Sequence, residues 1–166
     1  MALVRRLALI LLIVAGTVGC DQLSKSAARD HLQGHPTQRY LGDTFRLQYA
    51  ENRGAFLGLG KSLSKPVRRA IFTGGAILMV AAVLLYALLS SAVGRAELIS
   101  LALIGAGGVG NIIDRVRFDG SVTDFMNLGI GPIRTGIFNV ADVALMMGLA
   151  LMLLTAWRDA RQTPAR

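Results

Sequence analysis

Four long blocks of this chain contain no Lys, Arg or Glu: residues 7–20, 71–89, 98–113 and 137–157. Their only acid is Asp142. A span needs about 17–25 apolar residues to cross a bilayer. The second and fourth blocks meet that length, and the third is marginal. The first is short, but residues 1–4 extend it if Arg5 and Arg6 snorkel to the headgroups. With 53% hydrophobic residues gathered into such blocks, an ordinary soluble domain is excluded. The expectation is one integral membrane unit over 1–166, with spans at about 3–20, 70–90, 97–114 and 137–157.

Four spans put both termini on one side. Residues 21–69 and 115–136 then face the other compartment. If the termini are cytoplasmic, Arg5, Arg6, Arg95, Arg158, Arg161 and Arg166 lie inside, and the other twelve of 18 Lys and Arg lie outside. The raw count opposes the positive-inside bias. The density, six cations in roughly 25 residues against twelve in roughly 70, supports it. Trp157 beside Arg158 suits an interfacial anchor.

The net charge of +8 does not point to nucleic acid, because the cations are scattered through loops beside spans. Attraction to anionic lipid is the better reading. Cys20 is the one cysteine, so no intramolecular disulfide can form, and no Cys/His spacing suggests a metal. His31 and His35 read as solvated. Arg5-Arg6, an apolar run and Cys20 have the outline of a lipid-modified signal peptide. Thr17 stands where Leu is usual, however, and three spans follow, so the segment reads as a retained span.

In the long outer segment, residues 37–49 alternate loosely around Tyr40, Phe45, Leu47 and Tyr49. Gly42-Asp43 is a hairpin signal. A short two-stranded element is expected there. Residues 54–63 read as amphipathic and interfacial, with Phe56, Leu57, Leu59 and Leu63 able to dip into lipid.

Polar residues recur at the outer span ends. Asp at a helix centre in a bilayer costs roughly 2.5–3.5 kcal/mol, so such residues are functional candidates. Asn111, Asp114 and Arg115 end the third span, while Asn139 and Asp142 open the fourth at i, i+3. The positive helix end there favours a carboxylate. Asp21 and Lys25 are spaced i, i+4 in the favourable order for a helical ion pair. Asp124 follows the third span in Val-Thr-Asp-Phe. Two carboxylates that share one proton are the machinery of an aspartic protease. Gly105-Ala-Gly-Gly-Val-Gly110 fits a dinucleotide fingerprint, but a parallel sheet cannot be built between membrane-length blocks. Helix packing explains the glycines: Ile104, Gly107, Gly108, Asn111 and Arg115 share one face, where small residues admit a neighbouring helix. The alternative function is a small transporter or a proton- or cation-conducting protein. It would favour mid-membrane polar groups and an internal repeat, and neither is visible.

Five motifs occur in order: Asp21-Gln-Leu-Ser-Lys25, Glu51-Asn52-Arg-Gly54-Ala-Phe56, Gly107-Gly-x-Gly-Asn111-x-x-Asp114-Arg115, Val122-x-Asp124-Phe125 and Phe138-Asn139-x-Ala-Asp142. Together they resemble lipoprotein signal peptidase, signal peptidase II of bacteria. The resemblance implies an all-α membrane protein with four transmembrane helices, a small periplasmic β-cradle and an interfacial periplasmic helix. It implies an inner-membrane aspartic endopeptidase that needs no cofactor or metal and whose active site faces the periplasm. The substrate would be a diacylglyceryl-modified prolipoprotein, cut before the lipidated cysteine. Membrane lipid and the family's cyclic-peptide inhibitors are further expected partners. By matching positions, Asp124 and Asp142 are the catalytic pair. Asp21, Lys25, Asn52, Gly54, Asn111, Asp114, Arg115 and Asn139 support them or bind substrate. Gly129, Gly131 and Pro132 supply the turn that would bring Asp124 back to Asp142.

Overall fold

The computed structural model describes residues 2–53 and 64–162. Its elements run α1 (Leu3–Leu32), β1 (Gln38–Tyr40), β2 (Phe45–Asn52), α2 (Lys65–Arg69), a π-helical turn (Ala70–Gly74), α3 (Gly75–Leu89), α4 (Arg95–Arg117), β3 (Val122–Ile130), β4 (Ile133–Arg134) and α5 (Val140–Gln162). Among the described residues, four helices are long and apolar enough to cross a membrane: Leu3–Leu32, Ala70–Leu89, Arg95–Arg117 and Val140–Arg161. The expected spans are therefore present, with one substantial difference. Residues 21–32, expected in the outer loop, continue α1 without a break. Nothing in Asp21–Leu32 breaks a helix, and Ala28 and Leu32 bury against Phe125 of β3. The interfacial segment expected at 54–63 lies outside the described residues.

Helix α4 is the centre of the bundle and packs on α1, α3 and α5. Of its apolar window 44% is buried, against 11%, 11% and 17% for the other three. Its glycines make this possible, but not all on one face as the spacing suggested. A Cβ at Gly105 or Gly108 would strike Leu84 or Val80 of α3. A Cβ at Gly107 would meet the Ala141 carbonyl of α5, and one at Gly110 would stand 2.6 Å from Asp21 Oδ2. Neighbouring glycines thus admit different helices. Gly107 and Gly110 are the pair that lets α1 and α5 close on α4 beside the polar residues.

At the far end of the bundle, Arg6 does not snorkel. It is buried, and its Nη2 donates to the carbonyls of Ala87 at 2.9 Å and Val93 at 3.4 Å. Those carbonyls belong to the end of α3 and the turn before α4, where the last helical turn leaves acceptors unused. Arg6 and Asp21 are fifteen residues apart, about 22 Å along the helix. Near the other terminus, Arg161 lies over the Trp157 ring, 3.9 Å from its centroid.

The strands form one antiparallel sheet in the order β1-β2-β3-β4. The expected hairpin is present, closed by Leu41–Thr44, with Leu41, Gly42 and Asp43 all at positive φ. Two strands are expected, and the described residues form four. Val122–Phe125 are buried on both faces, so β3 lacks the alternation that marks a half-exposed strand. Between Leu47↔Met126 and Ala50↔Asp124 the register gains a residue on β2. Such a bulge re-aims side chains, and here it lies beside Asp124.

Candidate active site

The start of α5 is fixed by a reciprocal cap. Asn139 Oδ1 accepts from the Asp142 amide at 3.0 Å, and Asp142 Oδ2 accepts from the Asn139 amide at 3.1 Å. This is the capping-box arrangement, which satisfies two of the helix's unused donors. A third donor, the Ala141 amide, goes to Asp21 Oδ1 on α1 at 2.9 Å. The box holds the Asp142 carboxylate in place at the positive end of α5.

Asp124 comes from β3 and is buried, 3% exposed. Asn139 Nδ2 donates to its Oδ1 at 2.6 Å, and Asn52 Nδ2 of β2 donates to its Oδ2 at 3.1 Å. Asn139 therefore bonds both carboxylates at once, Asp124 through its side chain and Asp142 through its backbone. Asn111 Nδ2 donates to Asp142 Oδ1 at 2.9 Å, and Asn139 Nδ2 reaches Asn111 Oδ1 at 3.2 Å. Three asparagines from three elements thus enclose two carboxylates, and no ion pair among the described residues includes either acid. Burial, followed by the nearby Asp142 charge, pushes the Asp124 carboxyl up to about 6, against the amide donation of Asn52 and Asn139.

A second cluster abuts the first. Lys25, Asp21 and Asp114 are all fully buried. Lys25 Nζ lies 2.9 Å from Asp21 and 3.5 Å from Asp114, so the i, i+4 pair expected from sequence exists and has gained a third member. Asp114 Oδ2 also accepts from the Thr123 amide at 2.9 Å, which ties α4 to β3 one residue before Asp124. Gln22 Nε2 bridges Asp21 and Asp114, 3.1 Å from each.

Of the sequence-predicted site residues, Asp124, Asp142, Asn52, Asn111 and Asn139 meet in one network. Asp21, Lys25 and Asp114 form the adjoining one. Arg115 is near enough for its charge to act on Asp124, Asp142 and Asp114. Its Nε is buried without a hydrogen-bond partner, and among the described residues it joins no ion pair. Gly54 lies outside the described residues. Sequence reasoning missed Gln22, Thr123 and Arg29, whose Nη1 donates to Thr123 Oγ1 at 2.9 Å. Gln22 adjoins Asp21 and could have been found from that neighbour. Arg29 carried no signal while residues 21–32 were read as loop. Cys20 is exposed and unpaired.

Four helices of membrane-spanning length among the described residues, with two carboxylates joined through Asn139 at one end, make this a multi-pass membrane protein. The model of the family described as Signal peptidase (SPase) II matches residues 12–158, and the chain belongs to that family. It is 30% identical over 151 residues to the lipoprotein signal peptidase of Halothermothrix orenii, covering 91% of this chain and 97% of that one. It is 37% identical over 143 residues to that of Moorella thermoacetica, covering 86% and 88%. A bacterial membrane enzyme solved in meso at 2.3 Å superposes with a TM-score of 0.79 at 24% identity, covering 95% of this chain and 93% of that chain. The protein is a multi-pass membrane aspartic peptidase that removes signal peptides from prolipoproteins. The transport alternative is left without support.

Proposed function

We propose that Asp124 and Asp142 are the catalytic pair and that the substrate is a diacylglyceryl-modified prolipoprotein, cut immediately before its lipidated cysteine. The observation that carries this reading is Asn139, which bonds both carboxylates and holds them in one neutral amide network. Two close carboxylates titrate as a unit and retain one proton between them. The ionised member takes a proton from a water, which attacks the scissile carbonyl. The protonated member hydrogen-bonds the carbonyl oxygen as it becomes negative. Arg115, a cation with no ion-pair partner among the described residues, is placed to bind an acceptor on the substrate.

Asp124 lies on β3, tied to α4 through the Asp114–Thr123 bond, and Asp142 in the first turn of α5, so the pair stands at one end of the bundle. A signal peptide spans the bilayer, and its lipidated cysteine emerges at the outer leaflet. The site therefore belongs on the periplasmic face of a bacterial inner membrane, with both termini cytoplasmic. Membrane lipid surrounds the exposed apolar helix faces, and the family's cyclic-peptide inhibitors would compete at the same pair. The test is cleavage of a purified diacylglyceryl-modified prolipoprotein by the detergent-solubilised protein. Release of the signal peptide from the lipidated form but not the unlipidated one is expected. Equal cleavage of both forms removes the lipid requirement, and full processing by Asp124→Asn or Asp142→Asn removes the pair.

A further inference from the structure

Asn111 stands between a group that can only donate and a group that only accepts when ionised. Lys25 Nζ donates to its Oδ1 at 3.0 Å, and its own Nδ2 donates to Asp142 Oδ1 at 2.9 Å. An ammonium offers three donors and no acceptor, while an ionised carboxylate offers only acceptors. Exchanging the amide's oxygen and nitrogen would set N–H against ammonium and oxygen against carboxylate. Only one of the two amide orientations satisfies both neighbours. Lys25 is itself immobilised: its three donors meet Asp21, Asp114 and Asn111, and none of its side chain reaches solvent.

We propose that Lys25 is a positioning residue for the cleavage reaction: through Asn111 it holds an amide N–H on Asp142 Oδ1 and so fixes where that carboxyl group stands. The inference rests on the catalytic-pair reading above. The charged groups around this chain of contacts are Asp21 and Lys25 on α1, Asp114 and Arg115 on α4, and Asp124 on β3. Lys25 touches neither carboxylate of the pair, and its influence passes through an amide that it orients.

Removing Lys25 alone strands two buried carboxylates, so the test conserves the cluster's charge. Lys25→Gln/Asp114→Asn and Lys25→Met/Asp114→Asn both leave a net charge of −1, and only the first can still donate to Asn111. The Gln variant is expected to exceed the Met variant at least tenfold in kcat, at similar KM. Equal kcat in two folded, monodisperse variants overturns the proposal.

If the Met variant does not fold, Asn111→Asp provides the decision. It preserves an acceptor for Lys25 and removes the donor to Asp142. A hundredfold or greater loss of kcat at similar KM is expected, and near-wild-type kcat overturns the relay. Failure of the catalytic-pair reading is a separate outcome, seen as processing by Asp124→Asn or Asp142→Asn.

Discussion

Two pairs of carboxylates lie side by side at one end of this bundle, and they have opposite surroundings. Asp21 and Asp114 share an ammonium and are completely dry. Asp124 and Asp142 share an asparagine and have no cation in ion-pair contact among the described residues. The first pair holds one ammonium between its two acids and acts as glue between α1, α4 and β3. The second pair has amide donors in place of an ammonium, and burial together with the Asp142 charge raises Asp124. For Asp124 the difference between 3.8 and about 6 amounts to about 3 kcal/mol at neutral pH. On the proposed assignment, the presence or absence of a fixed cation separates the structural pair from the reactive one.

The sharpest way to break this contrast is to neutralise either acid of the second pair. Asp124→Asn and Asp142→Asn should each lower kcat by about 10³-fold or more while the protein stays inserted and folded. The double variant should be little worse than either single one, because the two act as a unit. Prolipoprotein accumulation in cells that depend on each variant is the readout, and near-normal processing by either would show the pair to be misassigned.

In the other cluster, Lys25→Met should cost about 3–5 kcal/mol of stability, since it leaves buried charges uncompensated. Thermal unfolding in detergent measures this, and an unchanged Tm would mean that the ammonium is dispensable. Gly110→Ala tests the close approach that brings the two pairs together. Its Cβ would push on Asp21 Oδ2 and Ala141, and a loss of about 1–3 kcal/mol is expected, with a fall in activity.

A subtler change separates the pairs by pH. Asp124 holds its proton up to about 6, so its contribution to stability is complete below pH 3.8 and is lost as pH rises through 6. Activity that needs this proton should decline on the alkaline side. Asn52 donates to the ionised form and lowers this value. Asn52→Ala should therefore move the alkaline limb upward, whereas a downward move would contradict the donor role. The smallest effect is expected at Cys20, which is exposed and belongs to neither cluster. Cys20→Ala should retain most activity, and alkylation of the wild-type thiol should leave cleavage intact.

The spans were legible because their apolar runs are long, and the α5 start because Asn139 and Asp142 stand at i, i+3 beside a helix end. The ion pair of Asp21 and Lys25 was legible for the same local reason. What escaped was set by distant partners. The continuation of α1 to Leu32 depends on Phe125 of β3, nearly a hundred residues away. Strand β3 itself is hidden because its buried residues do not alternate. The glycines of α4 announced close packing, but which neighbour each one admits is decided by the arrangement of three helices. Arg6 looked like a headgroup anchor because no local signal could place the carbonyls of Ala87 and Val93 within its reach.

The bond from the Ala141 amide to Asp21 joins residues 120 positions apart, and it sets the order in which the enzyme comes into being. At roughly 5–20 residues per second of synthesis, Asp21 leaves the ribosome some 6 to 24 seconds before the amide that it will receive. During that interval Lys25, only four residues downstream, gives the acid a companion. The helix bearing Asp142 obtains the acceptor for its Ala141 amide only on meeting the first segment threaded into the bilayer. With Asp142 proposed as one of the catalytic pair, a nascent chain carries no working protease, and hydrolytic competence arrives together with the last span.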